Sequence, residues 1–219
     1  MSPSRLLLLS ALAFLVAPSA VLASPSGLNN IPTTDVAPIR VAVVQAWSNS
    51  ASAGDTTYVA GVKSGLTPDL EVGLDSRLSP DGGPLTSQFK YRLRSRPGAP
   101  ALLAVGLANL STDRSRAGQP MPYVVATSAL APATRAHLGY SAQKRASGLF
   151  LGADWSVSPV LLLRSDWVRP AADSGDVSSL GTLFTPAGQP FAVEAWASFP
   201  GSPPSDTTFT LKLDWALPY

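Results

Sequence analysis

One histidine occurs in the 219 residues, His137, with Arg135 two places before it and Ser141 four places after. Histidine beside serine is the pairing that hydrolases use, the imidazole taking the hydroxyl proton so that the oxygen can attack. Here Arg135, His137, Gly139 and Ser141 alternate with Ala136, Leu138 and Tyr140, so the segment reads as a strand with His137 and Ser141 on one face. Four residues along a strand span roughly 13 Å, far outside hydrogen-bond reach, which leaves only a serine from another strand as partner. No cysteine is present, so there is no thiolate nucleophile, disulfide or thiolate metal site. No grouping of His, Asp and Glu has metal-ligand spacing, and no glycine-rich loop opens a helix to cradle phosphate. The expectation is a protein that is not an enzyme and carries no cofactor. What remains is charge in rows. Lys90, Arg92 and Arg94 stand at alternate positions of one segment, beside Glu71 and Asp75 in the segment before it.

The ends and the composition narrow where such rows can sit. Arg5 followed by the weakly polar to apolar run 6–16 and small residues reads as an export signal, with cleavage after Ala23. That run is too short for a spanning helix, which needs roughly 20 residues. No cysteine follows the cleavage point to carry a lipid. Removing the signal takes away one charge, Arg5, from 16 Lys+Arg, so 15 face 14 Asp+Glu. That balance gives no electrostatic footprint for nucleic acid. Apolar residues make up 45% of the chain and charged residues 14%, against roughly 25% charged in ordinary soluble domains. Past residue 23 no apolar stretch is long enough for a membrane helix. An exported, rather apolar chain without such helices either has a large dry core or alternates its apolar residues onto a lipid-facing surface. Within lipid only helices and closed barrels satisfy every backbone group.

Period two runs through the mature chain. Leu70, Val72 and Leu74 alternate with Glu71, Gly73 and Asp75, and Phe89, Tyr91 and Leu93 alternate with Lys90, Arg92 and Arg94. In 148–157 only Phe150 breaks the pattern, and Asp154 lies on the polar face. Strands are expected at 39–47, 57–63, 70–78, 85–94, 101–109, 122–129, 134–142, 148–157, 160–168, 177–185, 191–199 and 207–219. The tenth alternates poorly, and ten strands is the alternative count. Three segments share a pattern, with Leu66, Leu130 and Val157 each two residues before a proline (Pro68, Pro132, Pro159) and alternation resuming at once. Proline presets a tight turn and stops the strand before it. Polar stretches at 48–56, 79–83, 111–120 and 170–176 form longer connections. Short turns at one end and long loops at the other are the asymmetry of a membrane barrel.

The last segment is the cleanest. Phe209, Leu211, Leu213, Trp215, Leu217 and Tyr219 occupy every second position, against Thr210, Lys212, Asp214, Ala216 and Pro218. Here the chain resembles bacterial outer-membrane β-barrel proteins of the porin-like kind, whose final strand alternates in this way and ends in an aromatic residue. Pro218 departs from that pattern, because proline donates no ladder hydrogen bond. The resemblance implies an all-β fold, a transmembrane antiparallel up-and-down barrel over 39–219, after a signal peptide 1–23 and an irregular leader 24–38. The leader is either a periplasmic tail or a plug. The implied location is the bacterial outer membrane, and the implied partners are outer-membrane lipid and the assembly machinery that reads the C-terminal strand, with no nucleic acid. A soluble secreted β-sandwich binding module shares the alternation. The barrel is favoured by aromatics near strand ends (Trp47, Tyr58, Tyr123, Trp155, Trp167, Phe199, Trp215 and Tyr219) as interfacial girdles, and by apolar faces without charge.

If apolar faces meet lipid, the polar faces line a lumen. The expected lining is Glu71, Asp75, Lys90, Arg92, Arg94, Arg135, His137, Asp154, Arg164, Glu194, Lys212 and Asp214. One reading is a porin-like channel for passive passage of small solutes, with a modest anion preference from the Lys90–Arg92–Arg94 ladder. The other is a closed structural or accessory barrel, serving export or a partner, in which these groups pair across strands and fill a narrow interior. Glycines within strands make room for bulky interior residues such as Phe150 and Trp196.

Overall fold

A computed structural model describes residues 26–52, 54–143, 147–170, 175–201 and 206–219. The expected signal segment lies outside them. The strands are β1 (Val41–Ala51), β2 (Thr56–Thr67), β3 (Leu70–Leu78), β4 (Leu85–Leu93), β5 (Leu102–Leu110) and β6 (Met121–Ala131). They continue with β7 (Thr134–Ser141), β8 (Gly148–Ser158), β9 (Leu161–Pro170), β10 (Val177–Phe184), β11 (Phe191–Pro200) and β12 (Thr208–Pro218). A single helical turn, α1 (Arg114–Ala117), lies between β5 and β6, capped by the Asp113 side chain. Every strand pairs antiparallel with its sequence neighbours, and β1 pairs with β12 from Val41↔Pro218 to Ala51↔Thr208, closing a twelve-stranded barrel. The poorly alternating tenth strand is present in full register with both neighbours.

Alternation places the apolar set outside. Leu211, Leu213, Trp215 and Leu217 of β12, and Leu149, Leu151 and Trp155 of β8, are exposed on the outer surface. Along the strands the described outward positions carry one charge, Arg169, near the long-loop end of β9. A sandwich would bury this surface, and a closed sheet with an apolar exterior suits lipid instead. Two expected girdle aromatics point inward. Trp47 shares its face with Gln45 and Asn49 and lines an interior cavity, and Tyr123 packs across Gly106, its cross-strand partner. Tyr123 lies near the start of β6 and Trp47 one residue past the middle of β1, and position along a strand does not decide which face a side chain takes.

The three proline turns join β2 to β3, β6 to β7 and β8 to β9, at the end of the barrel where β1 begins and β12 finishes. Each is preceded by a register shift, at Gly65/Thr67, Ala129/Ala131 and Ser156/Ser158. The extra residue of each bulge is the apolar one two places before proline: Leu66, Leu130 and Val157. All three are exposed. A bulge inserts one unpaired residue and sharpens the local twist, so the repeated pattern in the sequence is a repeated bulge-and-turn. Pro218 sits in the last pair of its ladder, and the Tyr219 amide beyond it donates to the Arg40 carbonyl at 3.0 Å. The seam loses little by it.

The leader is inside the barrel. Gly65 of β2 lacks the Cβ that would collide with the Ala37 and Pro38 backbone, so the segment lies directly against the wall. Ile39 bridges Gly65, and Arg40, at φ +57°, turns the chain out of the lumen into β1.

Candidate functional site

Residues 26–33 form a small hairpin within the lumen. Gly27 bridges Pro32, the Leu28 amide donates to the Ile31 carbonyl at 2.9 Å, and Asn29 and Asn30 form the tip. Leu28 and Ile31 are buried in a cluster with Ala104, Val125, Phe150 and Trp196. The two leader side chains lie over Gly152, where a larger residue would collide with them. Phe150 and Trp196 cover Gly139 and Gly181, so small and bulky residues alternate across neighbouring strands to fill the interior.

Polar bonds hold the hairpin to four sides of the barrel. Lys90 Nζ donates to the carbonyls of Ser26 and Thr33, tying together the two arms of the hairpin. The Glu71 carboxylate accepts from Ser26 Oγ at 2.6 Å and from the Ala37 amide at 2.7 Å. Arg135 reaches the leader through Asp35 at 2.9 and 3.0 Å, and β8 through Asp154 at 2.9 and 2.6 Å. At the tip, Asp166 accepts from the Asn30 amide and side chain, both at 2.9 Å, and Asn29 donates to Ser198 Oγ at 2.9 Å. Burial alone would raise the Asp35 carboxyl, but the Arg135 guanidinium outweighs it and holds the group below its ordinary 3.8.

His137 belongs to this network. Thr127 Oγ1 takes the Thr34 amide at 3.3 Å and lies 2.9 Å from His137 Nδ1, while His137 Nε2 is 3.3 Å from Asp154. The Asp154 carboxylate can only accept, so a proton on Nε2 is the one donated to it. The hydroxyl, imidazole and carboxylate resemble a hydrolase relay, but all three side chains are buried under the leader and Thr127 is already engaged. The arrangement is a brace. Ser141 faces inward on the same strand and has no part in it.

The remaining expected lining residues fall into three groups. Arg164, Glu194, Lys212 and Asp214 form a chain of alternating charge across β9, β11 and β12, with separations of 2.9, 3.0 and 3.6 Å, and Gln45 donates to Asp214 at 2.5 Å. Asp75 accepts from Gln88 at 2.7 Å. Arg92 and Arg94 lie at the short-turn rim, both paired with Asp69 at 3.2 and 3.5 Å. Arg94 follows the end of β4 with its side chain 87% exposed, so it is not in the lumen and the basic ladder contributes only Lys90 to the interior. Strand alternation cannot reveal where a strand leaves the membrane.

On the long-loop side of the leader tip the lumen stays open as a cavity of about 480 Å³. Asn29 and Asn30 form its floor, with Lys63, Asp75, Glu194 and Lys212. Trp47, Asn49 and Thr210 are among the residues of its walls. The leader residues and Trp47 were not anticipated as lining. The signal present was an Asn-Asn turn in a short polar stretch directly before β1.

No protein-family model matches the chain, and no curated protein sequence does. Solved structures match. The KdgM porin in complex with disordered oligogalacturonate is similar over 80% of this chain and 99% of its own, with TM-score 0.64 and 5% identity. The NanC porin gives TM-score 0.55 at 8% identity, covering 80% and 100%. Omp33 of Acinetobacter baumannii gives 0.51 at 13%, covering 80% and 97%. At these identities the likeness is one of architecture: the chain has the fold of bacterial outer-membrane porins.

Proposed function

We propose that the protein is a porin-like barrel of the bacterial outer membrane whose passage is held shut by residues 26–38 and admits small solutes when that segment withdraws. The observation that carries this reading is the way the segment is held. Its apolar anchorage is Leu28, Ile31 and the small Ala37, and its other anchors are hydrogen bonds and ion pairs to Glu71, Lys90, Arg135 and Asp166. Such bonds contribute roughly 0.5–3 kcal/mol each net of water, because water replaces them when they break. A hydrated lumen therefore competes for the same groups.

The alternative, a closed accessory barrel, shares the geometry and differs only in whether the segment ever leaves. Anion preference draws no support from the pairing, since Arg92 and Arg94 are tied to Asp69 at the rim. Between the rims, the wall residues Lys63, Lys90, Arg135, Arg164 and Lys212 are outnumbered by carboxylates once Asp166 is included. The opened pore is proposed to be unselective or weakly cation-preferring. The apolar exterior supports lipid contact, and the unbroken alternation of β12 supports recognition by the assembly machinery. The test is planar-bilayer conductance of the mature protein beside a form lacking residues 24–37, both confirmed as folded by heat-modifiable gel mobility. Rare steps from the intact protein and a persistent open level from the shortened one are expected. A shortened, folded barrel that stays silent would leave the accessory role.

A further inference from the structure

We infer that the cavity above the leader tip is a binding site for a small uncharged polyhydroxylated solute, of the size of a mono- or disaccharide. Its volume of about 480 Å³ falls within the ordinary range of ligand sites, roughly 300–1,000 Å³. Its charges cancel: Lys63 and Lys212 against Asp75 and Glu194, with Lys212 already bound to Glu194 at 3.0 Å. A site with no net charge has no field to concentrate an anion or a cation.

Toward the mouth the lining is amide, hydroxyl and indole, supplied by Asn49, Thr210 and Trp47, with the Asn29 amide at the floor. Asn49 spends its oxygen on Thr210 Oγ1 at 2.7 Å, which leaves its NH₂ as a donor. Asn29 spends its NH₂ on Ser198, which leaves its oxygen as an acceptor. Asp75 gives Oδ2 to Gln88, while Oδ1 is buried with no hydrogen-bond partner, over Gly61, where a side chain is missing. A buried carboxylate oxygen without a donor is costly, so a rotation of Asp75 that brings this oxygen from Gly61 to a solute hydroxyl in the cavity would be favoured. Donors, acceptors and an aromatic face within one small space match a sugar, whose hydroxyls both give and take hydrogen bonds while its C–H face packs on the indole ring.

The inference rests on the porin-like reading only for the side from which solute arrives. Binding is therefore measured apart from conduction, by calorimetry on the intact mature protein refolded in lauryldimethylamine oxide, a detergent without a sugar head group. The probes are sucrose, glucuronate and glucosamine. Sucrose is expected to bind saturably with Kd on the order of 1 mM, and the two charged sugars more weakly. Trp47→Ala is expected to weaken sucrose roughly tenfold, and Asp75→Asn, which keeps the side-chain size, by a few-fold. Absence of saturable heat with sucrose, equal or tighter binding of glucuronate, or unchanged affinity in both variants would each overturn the site. If the intact protein binds sucrose while the shortened, folded barrel stays silent, the channel is overturned and the site kept; a shortened barrel that conducts beside an intact protein that ignores sucrose does the reverse.

Discussion

The two halves of the lumen are built from the same residue types and use them differently. Around the hairpin arms the charged side chains and the imidazole have found partners within the chain: Lys90 with Glu71 and two carbonyls, Arg135 between Asp35 and Asp154, His137 between Thr127 and Asp154. Beyond the tip, Asp75 keeps an unmatched oxygen and the amides of Asn29 and Asn49 keep unused groups. Charges satisfied internally make a wall, and polar groups left unsatisfied around open space make a receptor. The difference comes from thirteen residues of leader, which provide partners on one side and a floor on the other.

Removing residues 24–37 should change the comparison most, by turning the walled half into a second open chamber. The folded shortened protein is expected to pass from near silence to continuous conduction in planar bilayers. Arg135→Ala should act in the same direction with smaller effect. It cuts the charge-assisted bonds to Asp35, worth roughly 1.5–3 kcal/mol, so single-channel open probability should rise on the order of tenfold to a hundredfold. Gly139→Val separates packing from gating. The added carbons meet the Phe150 ring, and overpacking of this kind costs about 1–3 kcal/mol, read as a lower urea midpoint for the barrel.

Acid should weaken the walled half late. Because the Asp35 carboxyl is held below 3.8, its contribution is complete above that value and is lost only as pH falls through the lowered one. Asp35-dependent opening, the difference between intact protein and Asp35→Asn, should therefore be unchanged down to the ordinary carboxylate value and converge only below it. Smallest of all, Asn49→Ala in the open half should alter the stability read from urea unfolding by no more than about 0.5 kcal/mol.

Most of the barrel was legible because lipid imposes a strict rule. An apolar residue at every second position, kept up through β12, leaves one assignment of faces, and the short proline turns mark one end. Even the bulges were visible as Leu66, Leu130 and Val157 before their prolines, although alternation alone does not identify them as extra residues. The interior was legible only as a face. Glu71, Asp154, Arg164, Glu194 and Asp214 were expected inside and are buried there, but their partners come from strands and a leader far away in sequence. Asp35 reaches Arg135 across a separation of 100 residues and Asn30 reaches Asp166 across 136, and no local pattern encodes such pairs. Arg94 failed for the opposite reason, since the alternation continues one residue past the strand it belongs to.

The tether through Ile39 and Arg40 sets how the closed state is regained. A segment of thirteen residues joined to β1 cannot wander more than about 45 Å from its attachment, at roughly 3.5 Å per residue. Its effective concentration at the mouth is then millimolar or higher, whatever the abundance of the protein. Reclosure would be a first-order event of one molecule, and the lifetime of each opening would be the same for a lone barrel as for a crowded membrane.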